Sequence, residues 1–213
     1  PMLEFRDAGA VRLARDLAGA ALPLEAGALL MIEADGDEDT LPHAIETLMV
    51  AATVDGLVSL DDAADEVARE RLWAARKALS PSLRTLAPGK INEDVVVPVS
   101  RIPSLVDGVQ GLSREFALPI VCFGHAGNGN LHVNLLYDPA DAAQAARAKA
   151  AMARVFALTL SLGGTLSGEH GIGLAKREFM PQAIDAPTLA LMRAVKATFD
   201  PDGILNPGKL LPD

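Results

Sequence analysis

Among 213 residues the chain has a single cysteine, Cys122. An internal disulfide is thereby excluded, which fits a reducing compartment. Cys122 stands inside an apolar run and reads as a small buried hydrophobe rather than a nucleophile. Basic residues are in deficit: 19 Lys and Arg stand against 28 Asp and Glu, for a net charge of −9. Aromatics are scarce at 4 %, so no basic patch with interleaved aromatics offsets that field. A nucleic-acid backbone or an anionic lipid surface would be repelled, and neither is expected as a partner. Apolar stretches are broken by Gly, Pro or charge well before the roughly 18 residues that a membrane span needs. No segment has the form of a signal peptide, so a cytoplasmic protein is expected. Repeats, low-complexity tracts and obvious linkers are also missing, so residues 1–213 are expected to form one domain. The first residue is Pro1 with Met2 behind it, and the chain is expected to be a fragment.

Half of the residues are hydrophobic, enough for a substantial core. Helical spacing of apolar residues predicts helices over 8–21, 40–52, 61–79, 103–116, 140–162 and 186–199. Asp61 or Asp62 is the expected cap of the third, and Pro103 suits the first turn of the fourth. Short apolar runs at 28–33, 57–60, 95–97, 118–122 and 135–137 predict strands. Residues 80–92 are too punctuated by Pro81, Pro88 and Gly89 for a regular element, and 200–209 is turn chemistry throughout. The fold class expected is α+β, one antiparallel sheet covered by helices.

Between the strand runs at 118–122 and 135–137 lies Gly124-His125-Ala126-Gly127-Asn128-Gly129-Asn130-Leu131-His132-Val133-Asn134. It is read as a tight polar turn, whose glycines allow close backbone approach and whose imidazoles and amides offer donors and acceptors. His125 and His132 are seven apart, so a straight strand would place them on opposite faces, whereas a Gly-x-Gly turn can bring both rings to one point. Two neutral imidazoles suit zinc or another divalent transition metal, with a carboxylate as the usual third ligand at an open site. Glu169, beside His170 in a second glycine-rich loop, is the candidate. His43, within a helical stretch, is expected at the surface. Neither loop completes a dinucleotide or phosphate-binding fingerprint, and Ser167 lacks the surroundings of a nucleophile elbow. By themselves Arg76 and Lys90 read as ordinary solvated basic residues.

Taken together, residues 124–132, the run Gly168-Glu169-His170-Gly171-Ile172-Gly173 and the tail 200–209 resemble the C-terminal half of the FAD-linked oxidases. More narrowly the chain is similar to the D-2-hydroxy-acid dehydrogenases of the vanillyl-alcohol-oxidase type. Trp73-Ala74-Ala75-Arg76-Lys77 and residues 90–98 extend the likeness. The resemblance implies a ferredoxin-like sheet with helices on one face, and an FAD-binding domain that would precede residue 1. It implies that His125, His132 and Glu169 hold a divalent metal, that His170 is the catalytic base, and that Arg76 and Lys90 hold the substrate carboxylate with Asn134 helping to orient it. Asn206 and Lys209 in the tail would return toward the flavin. Asn128 departs from the family, which usually carries Asp there, and so removes a charge beside the metal loop.

The activity so implied is oxidation of a D-2-hydroxy acid, such as D-lactate or glycolate, to a 2-oxo acid by hydride transfer to FAD. A quinone, a cytochrome or an electron-transfer flavoprotein would accept the electrons, and the protein would be at most peripheral to the inner membrane. A homo-oligomer stays open. Two rival readings stand beside it: a flavin oxidase acting on an alcohol without a carboxylate, and a non-catalytic metal-binding or subunit-interaction domain.

Overall fold

The computed structural model describes residues 2–18, 22–63 and 65–212. Five antiparallel strands form one sheet in the order β2-β1-β4-β5-β3, where β1 is Met2–Asp7, β2 Ala28–Glu33, β3 Gly89–Val96, β4 Ile120–His125 and β5 Asn130–Tyr137. The long helices are α1 (Ala8–Ala18), α2 (Leu41–Ala52), α3 (Glu66–Ser82), α4 (Ile102–Phe116) and α5 (Ala142–Ser161), followed by a short α6 (Met180–Ala183) and α7 (Ala186–Phe199). The antiparallel α+β architecture is the one expected, but helices lie on both faces of the sheet rather than on one, α4 and α5 against one side and α1 and α3 against part of the other.

Alternation along the strands gives the sheet two unlike faces. Cys122, Leu131, Val133, Leu135 and Val95 point to one side, where they pack with Leu105, Val109 and Leu112 of α4 and with Val155 and Phe156 of α5. At roughly 1.5–3 kcal/mol for each fully buried aliphatic side chain, this layer is the main source of stability. The opposite face carries Glu4, Arg6, Phe123, His125, Asn130, His132, Asn134, Asn92 and Asp94, by the registers of the four strand pairs. Helices α1 and α3 cover one end of it, where Ala10, Leu13, Leu79 and Leu83 pack on Val121 and Leu136. The rest of this polar face is left for chemistry.

Several expectations need correction. Strand β1 lies in a region read only as helix and turn; its cue is alternation, Leu3 and Phe5 against Glu4 and Arg6. Residues 57–60 form no strand, for Leu57, Val58 and Leu60 are exposed and pair with no sheet edge. Helix α3 is capped by Asp65, whose carboxylate accepts from the Ala68 amide, not by Asp61 or Asp62. Lys90 and Asn92 stand on β3, not in an irregular stretch, because the strand begins at Gly89 and pairs with β5 along its length. The polar turn shrinks to Ala126–Asn128 and Gly129, since Asn130, His132 and Asn134 alternate with Leu131, Val133 and Leu135 as a two-faced strand.

Candidate functional site

The hairpin of β4 and β5 sets both histidines on the polar face. His125 is paired with Asn130 and Phe123 with His132, so the two rings lie two residues apart along the ladder and their centroids are 5.6 Å apart. Gly129 closes the hairpin at φ +80°, and a Cβ there would fall 1.9 Å from the Val97 carbonyl oxygen. Only glycine meets both conditions. Asn128 tightens the same turn, its side-chain oxygen accepting from the Asn130 amide at 3.1 Å.

Glu169 arrives from the other glycine-rich loop. Its carboxylate oxygens lie 3.3 Å from His132 Nε2 and 3.9 Å from His125 Nε2, and one ligand atom from each of the three residues lies within 4.8 Å of the others. Donor atoms bound tetrahedrally to one zinc ion at about 2.0–2.1 Å would stand about 3.4 Å apart; the separation of His132 and Glu169 matches that spacing, and His125 stands somewhat farther out. The chemistry of the donors fits too. Burial lowers the His132 pKa, against the pull of Glu169, and favours the neutral ring that a metal requires.

Beneath this trio sit two carboxylates that sequence reasoning missed. Glu4, buried on β1, lies 2.6 Å from His125 Nδ1 and accepts from Arg76 Nη2 at 3.0 Å. Burial opposes its ionisation, but the bonds from Arg76 and His125 prevail and hold its pKa below the usual carboxylate value. An ionised Glu4 fixes the proton on Nδ1 of His125 and leaves Nε2 with its lone pair toward Glu169. Asp94, fully buried on β3, gathers the second loop: its Oδ2 accepts from the amides of Gly168, Glu169 and His170 at 2.6, 2.5 and 3.0 Å. Its Oδ1 accepts from Lys176 Nζ at 2.5 Å, and Lys176 donates also to the carbonyls of Leu166 and Asp94. Burial works against the Asp94 charge, yet the ammonium and the converging amides hold its pKa well below the ordinary range. Gly168 lets the loop approach, since a Cβ there would meet the Asn130 side chain at 2.6 Å.

His170 stacks on His132 with centroids 5.4 Å apart, and its Nδ1 lies 3.4 Å from Asp94 Oδ1. Arg76, on α3, faces a cavity of about 350 Å³ whose wall includes Glu4, Arg6, Ser80, Asn92, His125 and His132. Its guanidinium carbon lies 5.4 Å from the centre of the Trp73 ring. Lys90 donates to Ser80 Oγ at 3.1 Å and so stands behind that wall. Asn134 is fully buried, with its amide nitrogen donating to the carbonyls of Val121 and His132. It braces the hairpin, while Asn92 across the ladder reaches the cavity. Asn206 and Lys209 lie on the exposed tail, 3.4 Å apart through Nζ and Oδ1. The tail is joined to the second loop, as Leu210 N donates to the Gly173 carbonyl and Arg177 to that of Gly208. His43 is exposed, and Cys122 is buried with its thiol pKa pushed up by that burial, as their sequence settings predict.

The family model for the FAD linked oxidases, C-terminal domain, matches residues 1–210. The glycolate oxidase subunit GlcD of Escherichia coli is 35 % identical over 210 residues, which is 99 % of this chain and 42 % of that protein. A D-lactate dehydrogenase of Anaerostipes hadrus is 33 % identical over 192 residues, covering 87 % of this chain and 40 % of that protein. A D-2-hydroxyglutarate dehydrogenase of Stutzerimonas stutzeri is 33 % identical over 193 residues, covering 86 % and 40 %. Among solved structures, 4-ethylphenol oxidase from Gulosibacter chungangensis, in its isoeugenol complex, superposes with a TM-score of 0.64 at 16 % identity over 99 % of this chain and 48 % of that one, a likeness of fold. The chain thus spans about two fifths of the length of the curated relatives it matches. On the family match over nearly its whole length, supported by these relatives, the chain belongs to the C-terminal domain family of the FAD-linked oxidases.

Proposed function

We propose that this chain is the substrate-binding and metal-binding part of an FAD-dependent enzyme that oxidises a D-2-hydroxy acid to the 2-oxo acid. The observation that carries the reading is the meeting of His125, His132 and Glu169 at the edge of a cavity that Arg76 also lines. The names of the relatives, glycolate oxidase, D-lactate dehydrogenase and D-2-hydroxyglutarate dehydrogenase, support the same substrate class.

His125, His132 and Glu169 would hold a divalent ion, zinc or another transition metal. Such an ion, when bound, supplies Lewis acidity to the hydroxyl oxygen of the substrate. FAD supplies the acceptor for the hydride from the α-carbon. The remaining tasks fall to side chains of this chain. His170 takes the hydroxyl proton at Nε2, its Nδ1 being turned to Asp94. Arg76 clamps the substrate carboxylate, and Lys90 adds positive charge through Ser80 from behind the wall. Glu4 holds His125 in the tautomer that faces Glu169. Asn206 and Lys209 would contact the flavin side from the tail.

The test is anaerobic mixing of the FAD-loaded full-length protein with D-lactate and with L-lactate. Bleaching of the flavin absorbance by the D acid alone is the expected result, and no bleaching by any 2-hydroxy acid would overturn the reading. Elemental analysis after dialysis should give about one equivalent of divalent metal in the chain and none in a His125→Ala, Glu169→Ala variant.

A further inference from the structure

Arg6 has no task in the site described so far. It follows Glu4 by two residues on β1 and therefore leaves the sheet on the same face, in register with Phe123 and, beyond it, His132. Its side chain lines the cavity beside Arg76, yet only 3 % of the residue is exposed. Its Nη2 is buried without a hydrogen-bond partner. The nearest acidic side chain of the wall, Glu4, is already engaged by His125 and Arg76. Arg76 itself leaves a second buried donor, Nε, without an acceptor.

Two guanidinium groups on one cavity wall that each keep a buried donor without an acceptor are costly unless something that enters the cavity accepts from them. Charge points to the same occupant. The cavity wall carries Arg6, Arg76 and Lys77 against the single carboxylate of Glu4, an excess of two positive charges, with Lys90 behind it on Ser80. One carboxylate on the substrate would neutralise half of that excess, and a second would complete it.

We propose that the substrate is a 2-hydroxy acid with a second, terminal carboxylate, and that Arg6 receives that group. This rests on the function proposed above and narrows its substrate class. Arg76 keeps the carboxylate next to the carbinol carbon, with the charge of Lys90 behind it, and the guanidinium of Arg6 donates its hydrogen bonds to the distal one.

The probes are D-malate and D-2-hydroxyglutarate, which carry the second carboxylate, and D-lactate, which lacks it. Initial rates and calorimetric binding are measured with the FAD-loaded full-length protein and its Arg6→Met and Arg6→Lys variants. The wild type should prefer at least one diacid over D-lactate by about ten- to a hundredfold in kcat/KM, chiefly through KM. Arg6→Met should remove most of that ratio, and Arg6→Lys should keep part of it. Turnover of both acid types with a ratio that Arg6→Met leaves unchanged would overturn the inference while the proposed function stands. Loss of FAD from Arg6→Met at an unchanged ratio would overturn it too, by assigning Arg6 to a contact with the flavin domain. Absence of turnover and binding for every 2-hydroxy acid would overturn the proposed function and this inference with it.

Discussion

Glu4 Oε1 lies 2.6 Å from Nδ1 of His125, so a residue 121 positions away decides which nitrogen of that ring is free to bind a metal. The first strand of the chain and the central hairpin thus build one site. The same carboxylate accepts from Arg76, which links the orientation of a metal ligand to that of the substrate clamp.

Removing this link should weaken the metal without abolishing it. Glu4→Ala is expected to lower zinc affinity by about 10- to 100-fold, the usual consequence of deleting a partner behind a ligating histidine. Glu4→Gln, which still offers an acceptor oxygen, should lose less. Competition with a chromophoric chelator measures both, and equal affinity in all three proteins would refute the role.

For His170 the expected signature is kinetic. His170→Ala in the FAD-loaded full-length protein should lower kcat by about 10²–10⁴ with a much smaller change in KM, as for loss of a general base. A rise in KM at unchanged kcat would make His170 a binding residue instead.

Asp94 should make stability depend on acid. Its folded pKa is held below the unfolded value, chiefly by Lys176 and the loop amides working against burial. Its stabilisation is therefore fully present above the ordinary aspartate value near about 3.9 and is lost as pH falls toward the folded value. Wild type should exceed Asp94→Asn in urea midpoint at neutral pH, and the gap should narrow below about pH 4. A gap that stays constant through that window would contradict the assignment.

The hairpin turn admits no side chain at Gly129, where φ is +80° and a Cβ would meet the Val97 carbonyl. Gly129→Ala should cost at least about 1–3 kcal/mol from backbone strain alone, before the clash is counted. Thermal unfolding reads this directly, and an unchanged Tm would show that the turn relaxes freely.

Much of this arrangement was legible in the residues. Apolar periodicity located α2, α4, α5 and α7 within a few positions, and the run 28–33 coincides with β2. The concentration of His125, His132, Glu169 and His170 in glycine-rich surroundings identified a candidate metal cluster, which the structure assembles within 4.8 Å for the first three. Less legible was β1, whose alternation of Leu3 and Phe5 with Glu4 and Arg6 spans only six residues ahead of a strong helical pattern. The strand character of Asn130, His132 and Asn134 was masked because asparagine is also a turn former.

By itself the sequence determined local periodicities, the chemistry available in each loop, the absence of an internal disulfide within these residues and a strongly acidic overall charge. These depend on residue identity and on neighbours a few positions away. Tertiary structure decided that Glu4 faces His125, that Asp94 gathers the amides of Glu169 and His170, and that Arg6 is buried beside Arg76 with a donor left over. The reason is physical: strand order and register join residues far apart in the chain, and no local pattern states which strand will lie beside which.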